Sequence, residues 1–265
     1  MKDQLILESD EGPCRFLTLN RPESRNAFNF ALAEALPPAI SRAARDKKVK
    51  IVVLRGAGEA FSAGGDIKLF RENLPTSAKA FRRISGALNK AIATISTMPQ
   101  IVVGAVRGPA YAAGFGLAIA CDLTVASEDS RLSPSFINIA LSPNASTTFY
   151  LPRLIGPKRA LEACLRGRVY SAIEARDIGL INEAWSEKSF ESELQRLIQD
   201  LSSRPSSSLA RVKKVIRATY GRDLKQQLEL EKKEIAASSE SWDFKEGVKA
   251  FVEKRKPSFR GRGRG

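Results

Sequence analysis

The sequence predicts an α/β fold: short strands alternating with helices over residues 1–205, then a helical module with a basic tail at 206–265. Three observations carry this. The runs at 51–54 and 101–106 are continuously apolar and too short for buried helices. Each is followed by a glycine-rich turn and then a segment with helical character. From Phe190 onward the pattern is helical, and 265 residues suffice to bury a sizeable core.

In chain order, strands are expected at 5–8 and 14–19, separated by the turn-like Asp10-Glu-Gly-Pro13. A helix over 28–44 has Asn26 or Asn29 available as its N-cap, and Pro37-Pro38 predicts a break or restart within it. A strand at 50–54 leads into the first glycine loop. A long helix at 78–97 feeds Met98-Pro99 and the strand at 101–106. The helix after the second glycine loop is short and apolar all round, which signals burial. Short strands at 124–126 and 131–132 precede helices at 146–155 and 158–166, the latter entered through Gly156-Pro157. A last strand is expected at 180–184. Ser202-Ser-Arg-Pro-Ser-Ser-Ser208 and Tyr220-Gly221 punctuate the helices that follow.

Composition removes several chemistries. There is no histidine, which excludes Ser-His-Asp and Cys-His catalysis and argues against a zinc site; no metal is expected. Proton transfer is left to carboxylate, tyrosine, lysine, cysteine or water. Cys14, Cys121 and Cys164 sit in apolar contexts and read as reduced, buried thiols of a cytoplasmic protein. No apolar run is long enough to span a bilayer, and the N-terminus lacks a signal-peptide core. The net charge of +14 admits an anionic partner, CoA or nucleic acid, or simply a solvated basic surface.

Two stretches carry the chemistry: Phe61-Ser-Ala-Gly-Gly-Asp-Ile-Lys68 and Ala105-Val-Arg-Gly-Pro-Ala-Tyr-Ala-Ala-Gly-Phe-Gly-Leu-Ala-Ile-Ala-Cys-Asp122. Small residues let the backbone approach a ligand, and a helix start presents unpaired N–H groups. Two such turns facing one another would form a main-chain oxyanion hole.

In this order and spacing, together with Leu19-Asn-Arg-Pro-Glu-Ser-Arg-Asn-Ala27, the segment 165–180 and Ala250-Phe-Val-Glu-Lys-Arg-Lys256, the chain resembles the crotonase superfamily, the enoyl-CoA hydratase/isomerase family. The resemblance implies a crotonase-like spiral of repeated ββα units with a C-terminal helical oligomerisation module, assembling as a homotrimer or dimer of trimers. It implies an acyl-CoA thioester as substrate, coenzyme A being part of that substrate and no separate cofactor. The thioester carbonyl would lie between the N–H groups of Gly65 and Ala113. Arg25, Ala27, Ala63, Asp66, Ile67 and Lys68 match CoA-binding positions, although Asp66 is equally suited to capping a helix.

One departure stands out. The family's two hydratase glutamates fall on Gly116 and Phe136, neither of which can carry a proton. Eight residues further on, Asn144 occupies a position where some superfamily members carry an aspartate; an amide can orient a water or a polar group but cannot act as a base. The remaining expected pocket is apolar (Phe115, Phe136, Ile139) with neutral polar groups (Tyr111, Ser135, Ser142, Asn144). This suits decarboxylation, thioester hydrolysis or isomerisation through a stabilised enolate or oxyanion, and not standard hydration. A catalytically silent CoA-binding subunit is the alternative, with an RNA-binding superfamily member behind it. The Arg-Gly repeats after Phe259 read as a solvated tail rather than a nucleic-acid site.

Overall fold

The computed structural model describes residues 4–260, so most of the Arg-Gly tail, 261–265, lies outside the described residues. The chain opens with an antiparallel hairpin, β1 (Ile6–Glu11) and β2 (Cys14–Leu19), and helix α1 (Phe30–Arg45). Next come β3 (Ile51–Gly56), α2 (Ile67–Glu72), α3 (Ser77–Thr97), β4 (Ile101–Val106), β5 (Pro109–Tyr111) and α4 (Ala113–Ala120). They are followed by β6 (Leu123–Ser127), β7 (Arg131–Ser133), α5 (Thr147–Ile155), α6 (Pro157–Arg166), β8 (Tyr170–Ser171), α7 (Ala172–Asp177) and β9 (Glu183–Trp185). Helices α8 (Phe190–Ser203), α9 (Ser206–Ala218), α10 (Leu224–Ser239) and α11 (Trp242–Val252) complete the chain.

The strands form two sheets, one in the order β1-β2-β3-β4-β6-β9 and a smaller one in the order β5-β7-β8. Beyond the hairpin, every pairing in the larger sheet is parallel. Successive turns of chain supply both sheets: β4 and β5 are followed by β6 and β7, each one place further along its own sheet. The turn before them is already foreshadowed, because Ser62, after β3, makes a parallel bridge to Ala110 of β5. That advance is the expected spiral of strand–strand–helix units.

The continuous apolar runs follow from burial of the large sheet on both faces. Val52, Leu54, Val102 and Val106 face the main core with α1 and α3, whereas Ile51, Val53, Ile101 and Val103 face α8 through Phe190, Leu194 and Ile198.

Helix α1 departs from the sequence expectation. It runs unbroken through Pro37 and Pro38, with Asn29 as N-cap accepting from the Leu32 N–H. Leu32, Ala33 and Leu36 before the prolines and Ala39, Ile40 and Ala43 after them form one buried face. Packing of that single face outweighs two missing backbone donors. The last strand is also displaced from 180–184 to Glu183–Trp185, because the Leu180 N–H closes the turn after α7 by donating to the Ala175 carbonyl.

Candidate active site

The site is built where the first three loops of the spiral meet. Asn26 is fully buried and clamps two of them together: its Nδ2 donates to the Ala57 and Ala60 carbonyls (2.9 and 2.7 Å), and its Oδ1 accepts from the Arg21 N–H. The Ser62 hydroxyl donates to the Asn26 carbonyl (2.8 Å) and accepts from the Gly64 N–H (3.2 Å). The Ser62 main chain in turn pairs with the next loop, through Ser62 N–H to Pro109 carbonyl (3.0 Å) and Tyr111 N–H to Ser62 carbonyl (2.9 Å). Gly64 has φ +92°, and a Cβ there would lie 2.8 Å from the Tyr111 carbonyl oxygen. Only glycine gives both that conformation and that approach.

The N–H groups of Gly65 and Ala113 stand outside the backbone ladders that tie these loops together. The bridge between Phe28 and Gly65 uses the Gly64 carbonyl and the Asp66 N–H, so Gly65's own N–H is not part of it. Ala113 is the first residue of α4, where an N–H has no acceptor within the helix. The residue before it, Ala112, holds φ +47° and ψ −113°, a conformation costly for any residue with a Cβ. Its N–H donates to the Ser133 carbonyl and its carbonyl accepts from Gly116, and these bonds hold the turn in place.

Gly65 and Ala113 line one cavity of about 500 Å³ together with Ala63, Ile67, Phe70 and Phe136. Its further wall comes from Phe81, Ile84 and Ser85 on α3 and from Leu141 and Asn144. Ser135, Ser142 and Asn138 supply its other polar groups, and among the described residues no ionisable side chain belongs to the lining. Of the sequence-expected pocket residues, Phe136, Ile139, Ser135, Ser142 and Asn144 line it. Phe115 does not: it lies on the core side of α4 and is wholly buried. Tyr111 lies on β5, away from the lining. Ile67 at the start of α2 was read from sequence, but Phe70 on α2 and the contributions of α3 were not, because an amphipathic helix gives no sign of which face borders a cavity.

The remaining matched positions sort by environment. Arg25 and Lys68 are exposed, and Ala27 is buried. Asp66 caps α2, accepting from the Lys68 and Leu69 N–H groups, and pairs with Arg21 at 3.1 Å. At Gly116 a Cβ would lie 2.3 Å from the Ala145 carbonyl oxygen and 2.8 Å from Thr147 Oγ1, so the 145–147 turn fills the space a side chain would need.

Charge is concentrated at the other end of α4. Asp122 pairs with Lys213 and Arg217, each at 2.7 Å, and accepts from the Val102 N–H. Lys213 also donates to the Ile95 and Gln100 carbonyls; burial, opposed by Asp122, holds its pKa below the usual lysine value. Burial pushes the neighbouring Cys121 thiol up to about 12, which leaves it protonated and unreactive at neutral pH. Among the described residues, no cluster of three or more His, Cys, Asp or Glu could hold a metal ion, and no helix is long and apolar enough to cross a membrane.

Residues 12–262 match the family described as enoyl-CoA hydratase/isomerase. The chain belongs to that family. It is 30% identical over 262 residues to the 1,2-epoxyphenylacetyl-CoA isomerase of Escherichia coli, covering 98% of this chain and 99% of that protein. To the 4-chlorobenzoyl coenzyme A dehalogenase-2 of an Arthrobacter species it is 29% identical over 239 residues, covering 90% and 87%. Among solved structures, an enoyl-CoA hydratase from Polaromonas sp. JS666 superposes with a TM-score of 0.92 at 32% identity, covering 96% of this chain and 99% of that one. The architecture is therefore the crotonase fold, as the glycine loops implied.

Proposed function

We propose that this member of the enoyl-CoA hydratase/isomerase family binds an acyl-CoA thioester and holds its carbonyl oxygen between the N–H groups of Gly65 and Ala113. The reaction then draws no general base from the pocket. The observation that carries this reading is the cavity lining, which among the described residues combines Gly65 and Ala113 with apolar and neutral polar side chains. As negative charge grows on the oxygen, the two donors and the positive end of α4 stabilise it. A well-placed acid or base is worth about 10²–10⁴ in rate, so a lining without one does not support addition of water to an alkene.

Reactions that fit are those whose enolate or oxyanion arises by other means. In decarboxylation the bond to the departing carboxylate breaks, carbon dioxide leaves, and the electron pair becomes the enolate, which water protonates. Hydrolysis by an oriented water shares the same need for a stabilised oxygen, and so does isomerisation, whose proton must then be carried by water. Arg25 and Lys68 are the candidates for the CoA phosphates, and Ala27, Ala63, Asp66 and Ile67 for the remainder of the cofactor moiety. The same reading carries assembly as a homotrimer or dimer of trimers, for which Phe251 (86% exposed) and Val252 (73%) on α11 supply uncovered apolar surface.

The test is a panel of alkyl-, aryl-, enoyl- and malonyl-type CoA thioesters incubated with the protein and followed by mass spectrometry, with crotonyl-CoA hydration measured alongside. Turnover of a thioester without crotonyl-CoA hydration is the expected result. Robust hydration overturns the reading, and binding without any turnover selects the silent CoA-binding subunit.

A further inference from the structure

Side chains that face a cavity and not the core show what the cavity is shaped to hold. Three phenylalanines border the acyl cavity from three different elements: Phe70 on α2, Phe81 on α3 and Phe136 in the short helical turn Ser135–Ile139. Neither Phe81 nor Phe136 belongs to the cores on the two faces of the large sheet, although Phe136 is only 5% exposed. Their rings serve the cavity.

Two of the three rings are fixed beside the grip on the carbonyl. A Cβ built on Gly65 would lie 2.4 Å from Cζ of Phe70, so the tip of that ring stands next to the Gly65 peptide. Phe81 lies against Phe70, with ring centroids 4.3 Å apart and planes tilted by 33°. Each ring limits the rotation of the other, and little side-chain entropy remains to be lost on binding. The half-buried polar groups of the same wall are engaged with each other, Asn144 Nδ2 donating to the Ser85 hydroxyl at 3.0 Å. What this wall presents to a ligand is therefore chiefly aromatic and apolar surface.

We infer that Phe70, Phe81 and Phe136 determine specificity at this site, and that the acyl group it takes carries an uncharged aromatic ring close to the thioester carbonyl. Ring faces carry partial negative charge and ring edges partial positive charge. An aromatic guest therefore gains offset or edge-to-face contacts that a saturated guest of the same size does not make. A saturated group draws on buried area alone. A ring bearing a carboxylate would be desolvated without a cation, because among the described residues no ionisable side chain lines the cavity. The inference rests on the acyl-CoA reading of the cavity and narrows it to aromatic acyl thioesters.

The experiment is isothermal titration calorimetry of the full chain with two matched pairs: benzoyl-CoA against cyclohexanecarbonyl-CoA, and phenylacetyl-CoA against cyclohexylacetyl-CoA. The members of a pair differ only in saturation of the ring, and on apolar area the saturated member binds at least as well. Wild-type protein should bind the aromatic member of at least one pair about threefold to tenfold more tightly, the effect of one good ring–ring contact. The double variant Phe81→Leu, Phe136→Leu keeps the wall apolar and touches neither core, and it should bring that ratio to one or below. A wild-type ratio of one or below in both pairs, or a preference that survives the double substitution, overturns the inference while the acyl-CoA reading stands. Failure of wild-type protein to bind any of the four thioesters overturns both.

Discussion

The two ends of α4 solve opposite problems. Its N-terminus opens on a cavity whose lining, among the described residues, has no ionisable side chain, with the Ala113 N–H unpaired within the helix. Its C-terminus is surrounded by charge: Arg217 donates to the Ala120 carbonyl at 3.1 Å and to Asp122, and Lys213 closes the group. Cations at the C-terminal end complement the helix dipole and leave the partial positive charge at the other end uncompensated. The lesson is one of placement. Buried ions are kept where every one has partners, and the cavity end presents main-chain N–H groups without a charged side chain among the described residues.

The sharpest way to break this contrast is to remove the hub of the charged end. Asp122→Ala leaves Lys213 and Arg217 without their carboxylate, and urea unfolding should show a loss of about 3–5 kcal/mol. A loss under 1 kcal/mol, within the range of a solvated surface pair, would mean that the cluster is not a buried structural tie.

At the other end, the effect should fall on rate. A Cβ at Gly65 would lie 2.4 Å from the Phe70 ring, so any substitution there disturbs packing. The informative comparison is Gly65→Pro against Gly65→Ala, because only proline also deletes the N–H. On whichever thioester proves to be turned over, the proline variant should be slower than the alanine variant by about 10²–10³. Equal rates in two folded variants would exclude Gly65 as an oxyanion donor.

Alkaline pH tests the charged end more gently. The folded protein holds the Cys121 thiol at a pKa of about 12 through burial, against 9.0 for a free thiol. Its contribution is fully present below pH 9.0 and is lost as pH rises towards 12, because the unfolded chain ionises first. Between pH 9 and 10 this amounts to about 1.4 kcal/mol at most. Cys121→Ala should flatten that part of the stability–pH curve, and an unchanged slope would contradict the assignment. The smallest effect is expected at the N-cap of α4: Ala112→Gly relieves the positive φ and should stabilise the protein by about 1 kcal/mol, read as a raised thermal midpoint. A lowered midpoint would show that the turn is not strained.

Legibility in the sequence followed burial. Strands β2 and β4 match their sequence-expected bounds, since a continuous apolar run flanked by turns leaves little choice of register. The uninterrupted α1 did not, because the prolines speak locally while the face they sit between is chosen by the core. The glycine loops were readable because close approach leaves small residues as its trace. Ser85 was not: a serine on an amphipathic helix looks like any half-exposed position until Asn144 is folded against it. Gly116 was read as a missing side chain, whereas the structure adds that Ala145 occupies the space, so restoring a glutamate there would first require the turn to move.

The stitch between Ser62 and Ala110 has a further consequence. Together with the Asn26 amide and the Ser62 hydroxyl, it works as a gauge that sets the spacing of the Gly65 and Ala113 amides. Side chains on the far wall of the cavity can then be exchanged without moving those two amides.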